Sequence, residues 1–213
     1  MIPLQWIPKH TLCFMYIPPK YRNSNLDEVR QFLEDNAFGI LISKGNPYPL
    51  ATHIPLELDT DEQGNDILVG HLAKANPHWK SFESQPDVLA IFNGPHSYIS
   101  SSWYKDEEVP TWNYIAVHIK GKLQILTEDE LLSILHKLVD KYEKDSDNPI
   151  RLDDLSAKTM RQVNGIVGFK IAIDEIHAAY KLSQGRETDH PKIIEELRKR
   201  SSGMSNEVAD AME

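Results

Sequence analysis

"GHLAKANPHWK", residues 70–80, is the stretch on which the fold turns. It continues an apolar run, Ile67-Leu68-Val69, and stops at Asn76-Pro77. Period-two alternation makes residues 67–73 a strand, with Gly70, Leu72 and Lys74 on one face and Val69, His71 and Ala73 on the other. Strand packing alone asks for no glycine, histidine or lysine at the far end. Gly70 removes a side chain where a flat ligand or another backbone can approach. Lys74 offers an ammonium suited to a phosphate. An ordinary strand with a solvated lysine and a glycine bulge would read the same way.

Outward from this strand the pattern is mainly β. Asn25 and Glu28 open a helix with Leu26, Val29, Phe32 and Leu33 on one face. Residues 38–42 read as a short buried strand, "KGNPYP" (44–49) as a turn, and "LATHIPLEL" (50–58) as one continuous second strand closed by "DTDEQGND" (59–66). "HWKSFESQ" reads as one or two helical turns and "VLAIFNG" (88–94) as the fourth strand. "PHSYISSSWYKDEEVPTWNY" (95–114) has too little periodicity for a helix and reads as a long loop, a common home of function.

From Tyr114 to Ile125, Ile115, Val117, Ile119, Leu123 and Ile125 share one face, while His118, Lys120 and Lys122 take the other. "TEDELLSILHKLVDKYEK" (127–144) carries a capping box, Thr127 with Glu130, and a stripe of Leu131, Leu135, Leu138 and Tyr142. "IVGFKIAIDEI" (166–176) restores period two, a last helix covers about 190–200, and the tail reads as frayed. At least six strands with a few peripheral helices, not alternating strand by helix, point to an antiparallel barrel rather than a parallel sheet.

Composition bounds the function. A chain of 213 residues, 40% hydrophobic and 26% charged, fits one ordinary globular domain. Its net charge of −9 disfavours a broad grip on a phosphate backbone. The single cysteine, Cys13, excludes an intramolecular disulfide framework and fits a reducing cytoplasm. No apolar run reaches the ~20 residues of a membrane span. The N-terminus lacks a basic start and a small-residue cleavage site, so the expectation is cytoplasmic. The nine histidines form neither a paired-histidine helix motif nor a set with cysteine pairs, so no metal is expected. No Gly-rich dinucleotide fingerprint, phosphate-cradle motif or nucleophile elbow is present.

Three further clusters accompany the strand end: Thr52 and His53 in "LATHIP", Tyr98, Ser100 and Trp103 in "SYISSSWY", and Lys181, Ser183, Gln184 and Arg186 in "KLSQGR". Amides and hydroxyls can read a heteroaromatic edge and a polyol chain while aromatics cover its face. Each alone is as easily a surface loop or a satisfied core group.

Six motifs in order, "MYIPPKY", "PLATHIPLEL", "GHLAKANPHWK", "IFNGPHSYISSSWY", "VPTWNYIAVHIKGKL" and "GIVGFKIAIDEIHAAYKLSQGR", resemble the PaiB family of FMN-binding split-barrel proteins. These belong to the wider pyridoxamine-phosphate-oxidase-like group and are described as negative transcriptional regulators of sporulation and protease production. The resemblance runs from about Met15 to Arg200. It implies a six-stranded antiparallel split β-barrel, a homodimer, and FMN at the subunit interface. It also implies an N-terminal extension over 1–14, a domain over 15–200 and a flexible tail over 201–213.

Carried onto matching positions, Lys74 would meet the FMN phosphate, and Thr52 and His53 would lie along the isoalloxazine and ribityl region. Gly70 and His71 complete that strand end. Lys181 and Gln184 would reach the cofactor from a partner subunit, and Tyr98, Ser100 and Trp103 would line it. Gly185 stands where the family commonly has asparagine. The resemblance implies a flavoprotein regulator of transcription; the alternative is a flavin-dependent oxidoreductase, in which the flavin carries the redox chemistry. Direct DNA binding lacks a helix-turn-helix signal as well as positive charge. Heme handling is a third option, with His71 and His78 as ligands.

Overall fold

The computed structural model describes residues 15–213. The expected extension over 1–14, with Cys13, lies outside the described residues. In chain order the elements are β1 (Arg22–Asn23), α1 (Leu26–Asp35), β2 (Phe38–Ser43), β3 (Leu50–Pro55), β4 (Glu57–Thr60), β5 (Asp66–Ala73), β6 (Asp87–Ile99), β7 (Thr111–Ile125), α2 (Glu128–Glu143), α3 (Ala157–Met160), β8 (Ile166–Lys181), α4 (His190–Arg198) and α5 (Gly203–Asp210). The strands follow the order β3-β2-β6-β7-β8-β5-β4, with β1 paired to β8. The fold is mainly β with helices, as expected, although the sheet path has seven strands instead of six.

The chain divides into two compact units. One comprises Leu26–Asn93 and Ile119–Ile176; the other comprises residues up to Asn25 with Gly94–His118 and His177–Glu213.

In the Leu26–Asn93/Ile119–Ile176 unit, β2 and β3 form an antiparallel hairpin from Phe38↔Pro55 to Ser43↔Leu50. A second hairpin joins β4 to β5, from Glu57↔Val69 to Thr60↔Asp66, and β5 continues antiparallel onto β8. The continuous strand expected over 50–58 is therefore two strands with different partners. The ladder changes hands at Leu56, which is fully buried and whose N–H donates to the Ala37 carbonyl at 2.8 Å. Alternation reads through such a corner, because a change of partner leaves the side-chain period intact.

Gly70 is packed, and its strand runs on without a bulge: a Cβ there would lie 2.9 Å from the Phe169 ring and 3.0 Å from the Pro55 carbonyl. The space without a side chain is filled by the protein's own core. Helix α2 has its capping box, with Thr127 and Glu130 each bonding the other's backbone N–H. It buries Leu131 and Leu135 with Leu152. Tyr142, at the end of the expected stripe, is exposed.

In the other unit the core gathers Ile99, Ile193, Leu197, Val208 and Ala209. Within residues 201–213, expected as a flexible tail, Gly203–Asp210 form α5, with Val208 and Ala209 fully buried. Arg198 on α4 pairs with Asp210 at 2.9 Å and Glu213 at 2.7 Å. Met204, Val208, Ala211 and Met212 do stand at helical spacing, and contact with α4 makes so short a helix worthwhile. The loop expected over 95–114 also shortens. Residues 95–99 extend β6, with Ser97 and Ile99 buried and His96 and Tyr98 exposed.

Candidate functional site

The turn after β5 is built by Asn76. Its side chain accepts the His78 N–H at 3.0 Å and caps the 3-10 turn Pro77–Ser81. Pro77 at the first position suits that turn, because its missing N–H would be unpaired anyway. The turn drives the His78 ring inward, where only 2% of the residue is exposed. Both ring nitrogens are used: Nε2 pairs with Ser43 Oγ at 2.7 Å and Nδ1 with Thr52 Oγ1 at 2.8 Å. Asn76 Nδ2 also donates to Thr52 Oγ1 at 3.2 Å. Burial holds the imidazole pKa below its ordinary value, so the neutral form is favoured. His78 is therefore a buried brace between β2 and β3, and with both nitrogens engaged it is not a free axial ligand for heme.

Around this brace the unit presents three of the expected residues. Thr52 is half-buried, and His53, its neighbour on β3, is exposed and stacks on Phe38 with ring centroids 6.5 Å apart. Lys74 is exposed at the β5 end; its N–H donates to the Gly165 carbonyl, and its own carbonyl accepts Trp79 Nε1 at 3.0 Å. Its backbone is thus anchored, and its ammonium has no carboxylate partner among the described residues.

His71 faces away from this corner. It lines a cavity of about 240 Å³ with Val69, Ile134 and Leu138, rimmed by the ion pairs Lys137–Asp59 and Lys141–Glu57, each at 2.6 Å. Burial lowers its pKa as well. The Tyr142 hydroxyl donates to Glu57 at 2.7 Å, and burial followed by that carboxylate raises its pKa to about 12.

The remaining expected residues lie in the other unit. Tyr98 and Trp103 hold Arg200: its guanidinium carbon lies 4.5 Å from the Trp103 ring centroid, and Nη1 donates to the Tyr98 carbonyl at 2.6 Å. Ser100 caps the 3-10 turn Ser101–Trp103 through the Ser102 N–H. Gln184 closes its own turn, accepting the Leu182 N–H at 2.9 Å and donating to the Tyr180 carbonyl at 2.6 Å.

Lys181 donates to Thr111 Oγ1 and to the Trp112 carbonyl. The turn that follows puts Ser183 at φ 63°, held by paired hydrogen bonds to Asn113, and Gly185 at φ 83°. Glycine and asparagine are the residues that tolerate this left-handed region, so Gly185 in place of a common asparagine preserves the turn. Lys181 and Gln184 line a second cavity, of about 210 Å³, with Lys20, Arg186 and Thr111.

The brace, Lys20 and Arg200 escaped the sequence reading. Asn76 before Pro77 was a legible cap signal, but nothing local tells a buried His78 from an exposed one.

Comparison with known proteins then decides the family. The family model described as "Putative FMN-binding domain" matches residues 15–175. The chain belongs to this family. FMN is the cofactor that membership assigns, in agreement with the sequence reading. The chain is also 45% identical over 201 residues to the Bacillus subtilis (strain 168) protein named "Protease synthase and sporulation protein PAI 2", covering 93% of this chain and 97% of that one.

Among solved structures, the FAD and heme binding protein from Mycobacterium smegmatis aligns at a TM-score of 0.60 and 14% identity, covering 76% of this chain and 73% of that one. The flavocytochrome Anf3 from Azotobacter vinelandii aligns at 0.58 and 16%, covering 75% and 69%. These two establish the family's fold, the split barrel. Among the described residues no helix is long and apolar enough to cross a membrane.

Proposed function

We propose that this chain is a homodimeric cytoplasmic flavoprotein that holds FMN beside β3 and at the end of β5. Its role would be regulatory, as the family resemblance implies, in the processes of protease synthesis and sporulation that the name of the Bacillus subtilis relative mentions. The observation that carries the flavin reading is the corner itself: a Lys74 ammonium with no carboxylate partner among the described residues, on an anchored backbone, with Thr52 held by the His78 brace and the exposed His53 beside it on β3. Lys74 would hold the phosphate, Thr52 the polar ring edge or ribityl chain, and the flat His53–Phe38 pair would cover part of the ring. When bound, the flavin supplies one- or two-electron redox chemistry. The dimer reading is supported by β3 ending the sheet path beside exposed Phe38 and Tyr48.

The test compares FMN with riboflavin. Losing a charge-assisted phosphate contact costs about 1.5–3 kcal/mol, roughly ten- to a hundredfold in affinity. Lys74→Ala should weaken FMN by that factor and leave riboflavin unchanged. Equal affinities of wild type and variant for FMN would remove the phosphate from this corner.

The net charge of −9 favours a second reading over direct DNA contact: a flavin-dependent oxidoreductase. Anaerobic bleaching of the bound flavin by NADH or NADPH supports it. A flavin inert to both, in a protein that shifts a DNA fragment at moderate salt, would exclude it.

A further inference from the structure

The cavity of about 210 Å³ in the unit that contains β1 has a charge imbalance that nothing described so far uses. Three cationic side chains, Lys20, Lys181 and Arg186, line it against one carboxylate, Glu108. Arg186 and Glu108 form an ion pair with each other. The two lysines remain, and neither meets a carboxylate among the described residues.

Their proximity follows from the pairing of β1 with the end of β8. β1 pairs antiparallel with β8 as Arg22↔Ala179 and Asn23↔Ala178. Lys20 lies in the 3-10 turn Pro19–Tyr21 that leads into β1, Lys181 ends β8, and both ammonium groups lie against the Tyr21 ring, 4.9 and 5.8 Å from its centroid. Burial and then the Lys20 charge lower the Lys181 pKa, so the arrangement works against the charged form.

Like charges held this way in a concave site are relieved by an anion. The donors to receive one are present. The Lys181 ammonium has three N–H groups and uses two, on Thr111 Oγ1 and the Trp112 carbonyl. Thr111, having accepted that bond, keeps its own O–H to donate. Asn113 and Ser183 satisfy each other and hold the wall still.

We propose that this cavity is an oxyanion site, taking the phosphate or carboxylate group of a small molecule other than the flavin. It rests on the proposed function only in placing the flavin phosphate elsewhere, at Lys74. Lys181 is thereby a ligand of the second molecule instead of the FMN expected from the family resemblance.

The experiment titrates inorganic phosphate, and separately succinate, into the flavin-loaded protein by calorimetry, and repeats both on the flavin-free chain. Saturable binding of either anion is expected, weakened about tenfold or more in Lys20→Gln and in Lys181→Gln. No saturable binding of either, or equal affinities in wild type and both variants, overturns the proposal. The preference for FMN over riboflavin is then measured in Lys20→Gln. An unchanged preference supports a separate ligand; a preference lost together with anion binding overturns it, because the cavity would then serve the flavin's own phosphate. Failure of FMN to bind at all would appear in the flavin titration of the wild type and would leave the anion arm readable on the flavin-free chain.

Discussion

Two polar clusters in this protein are built on opposite terms. At the β3 corner, Ser43, Thr52, Asn76 and His78 satisfy one another, and the histidine is kept neutral by burial. In the cavity beside β1, Lys20 and Lys181 both line the wall, and neither meets a carboxylate among the described residues. The first cluster is complete without a ligand and serves to aim Thr52. The second is incomplete as a set of charges. A buried polar network that closes on itself stabilises and orients; one left open in charge is poised to bind.

The hardest blow to this contrast is His78→Leu. It leaves two hydroxyls on β2 and β3 without their shared partner and replaces a ring fitted to its site. A loss of about 2–5 kcal/mol is expected in urea unfolding. A loss under ~0.5 kcal/mol would mean that the brace is ornamental. His78→Gln, which can still bond one hydroxyl, should recover part of the difference.

The same corner should make the fold acid-sensitive. A histidine whose folded pKa lies below its unfolded value near 6.5 leaves stability intact above that pH. Below it the unfolded chain binds the proton first, so stability falls as pH drops toward the lower folded pKa and then levels off. His71 acts in the same direction. Urea midpoints between pH 7.5 and 4.5 should decline more steeply in wild type than in His78→Gln; parallel declines would shift the origin to other groups.

Arg200 offers a smaller test within the unit that holds the cavity. Its stacking on Trp103 and its bond to the Tyr98 carbonyl fix those two aromatics. Arg200→Gln should cost about 0.5–1 kcal/mol and red-shift the Trp103 fluorescence. Unaltered emission would leave Trp103 free to line a ligand.

The gentlest change is Lys20→Gln. Removing a like charge beside Lys181 should leave unfolding stability within about 0.5 kcal/mol of wild type. A clear destabilisation would show that Lys20 has a structural duty and would blur the contrast with His78.

Much of this was legible along the chain. Periodicity located the strands now numbered β2, β5 and β7, and the Thr127–Glu130 capping box located α2. Its misreadings share a cause. The corner at Leu56 and the strand continued through Pro95 each depend on what the chain meets, and no local period encodes that; the short helix after Ser202 carries a helical period too brief to stand without its contact with α4.

The candidate site divides the same way. The residue types at the β5 end, in "LATHIP" and in "KLSQGR", were visible as chemistry without an obvious packing role. Their partners were not. Local geometry is written in nearest-neighbour spacing, so the sequence by itself determined most of the elements, the acidic charge and the family's order of motifs. Burial and charge pairing depend on residues tens of positions apart. Only the tertiary structure therefore decided that His78 is a satisfied brace, that Gly70 is filled by Phe169, and that Lys20 and Lys181 are left facing the same cavity.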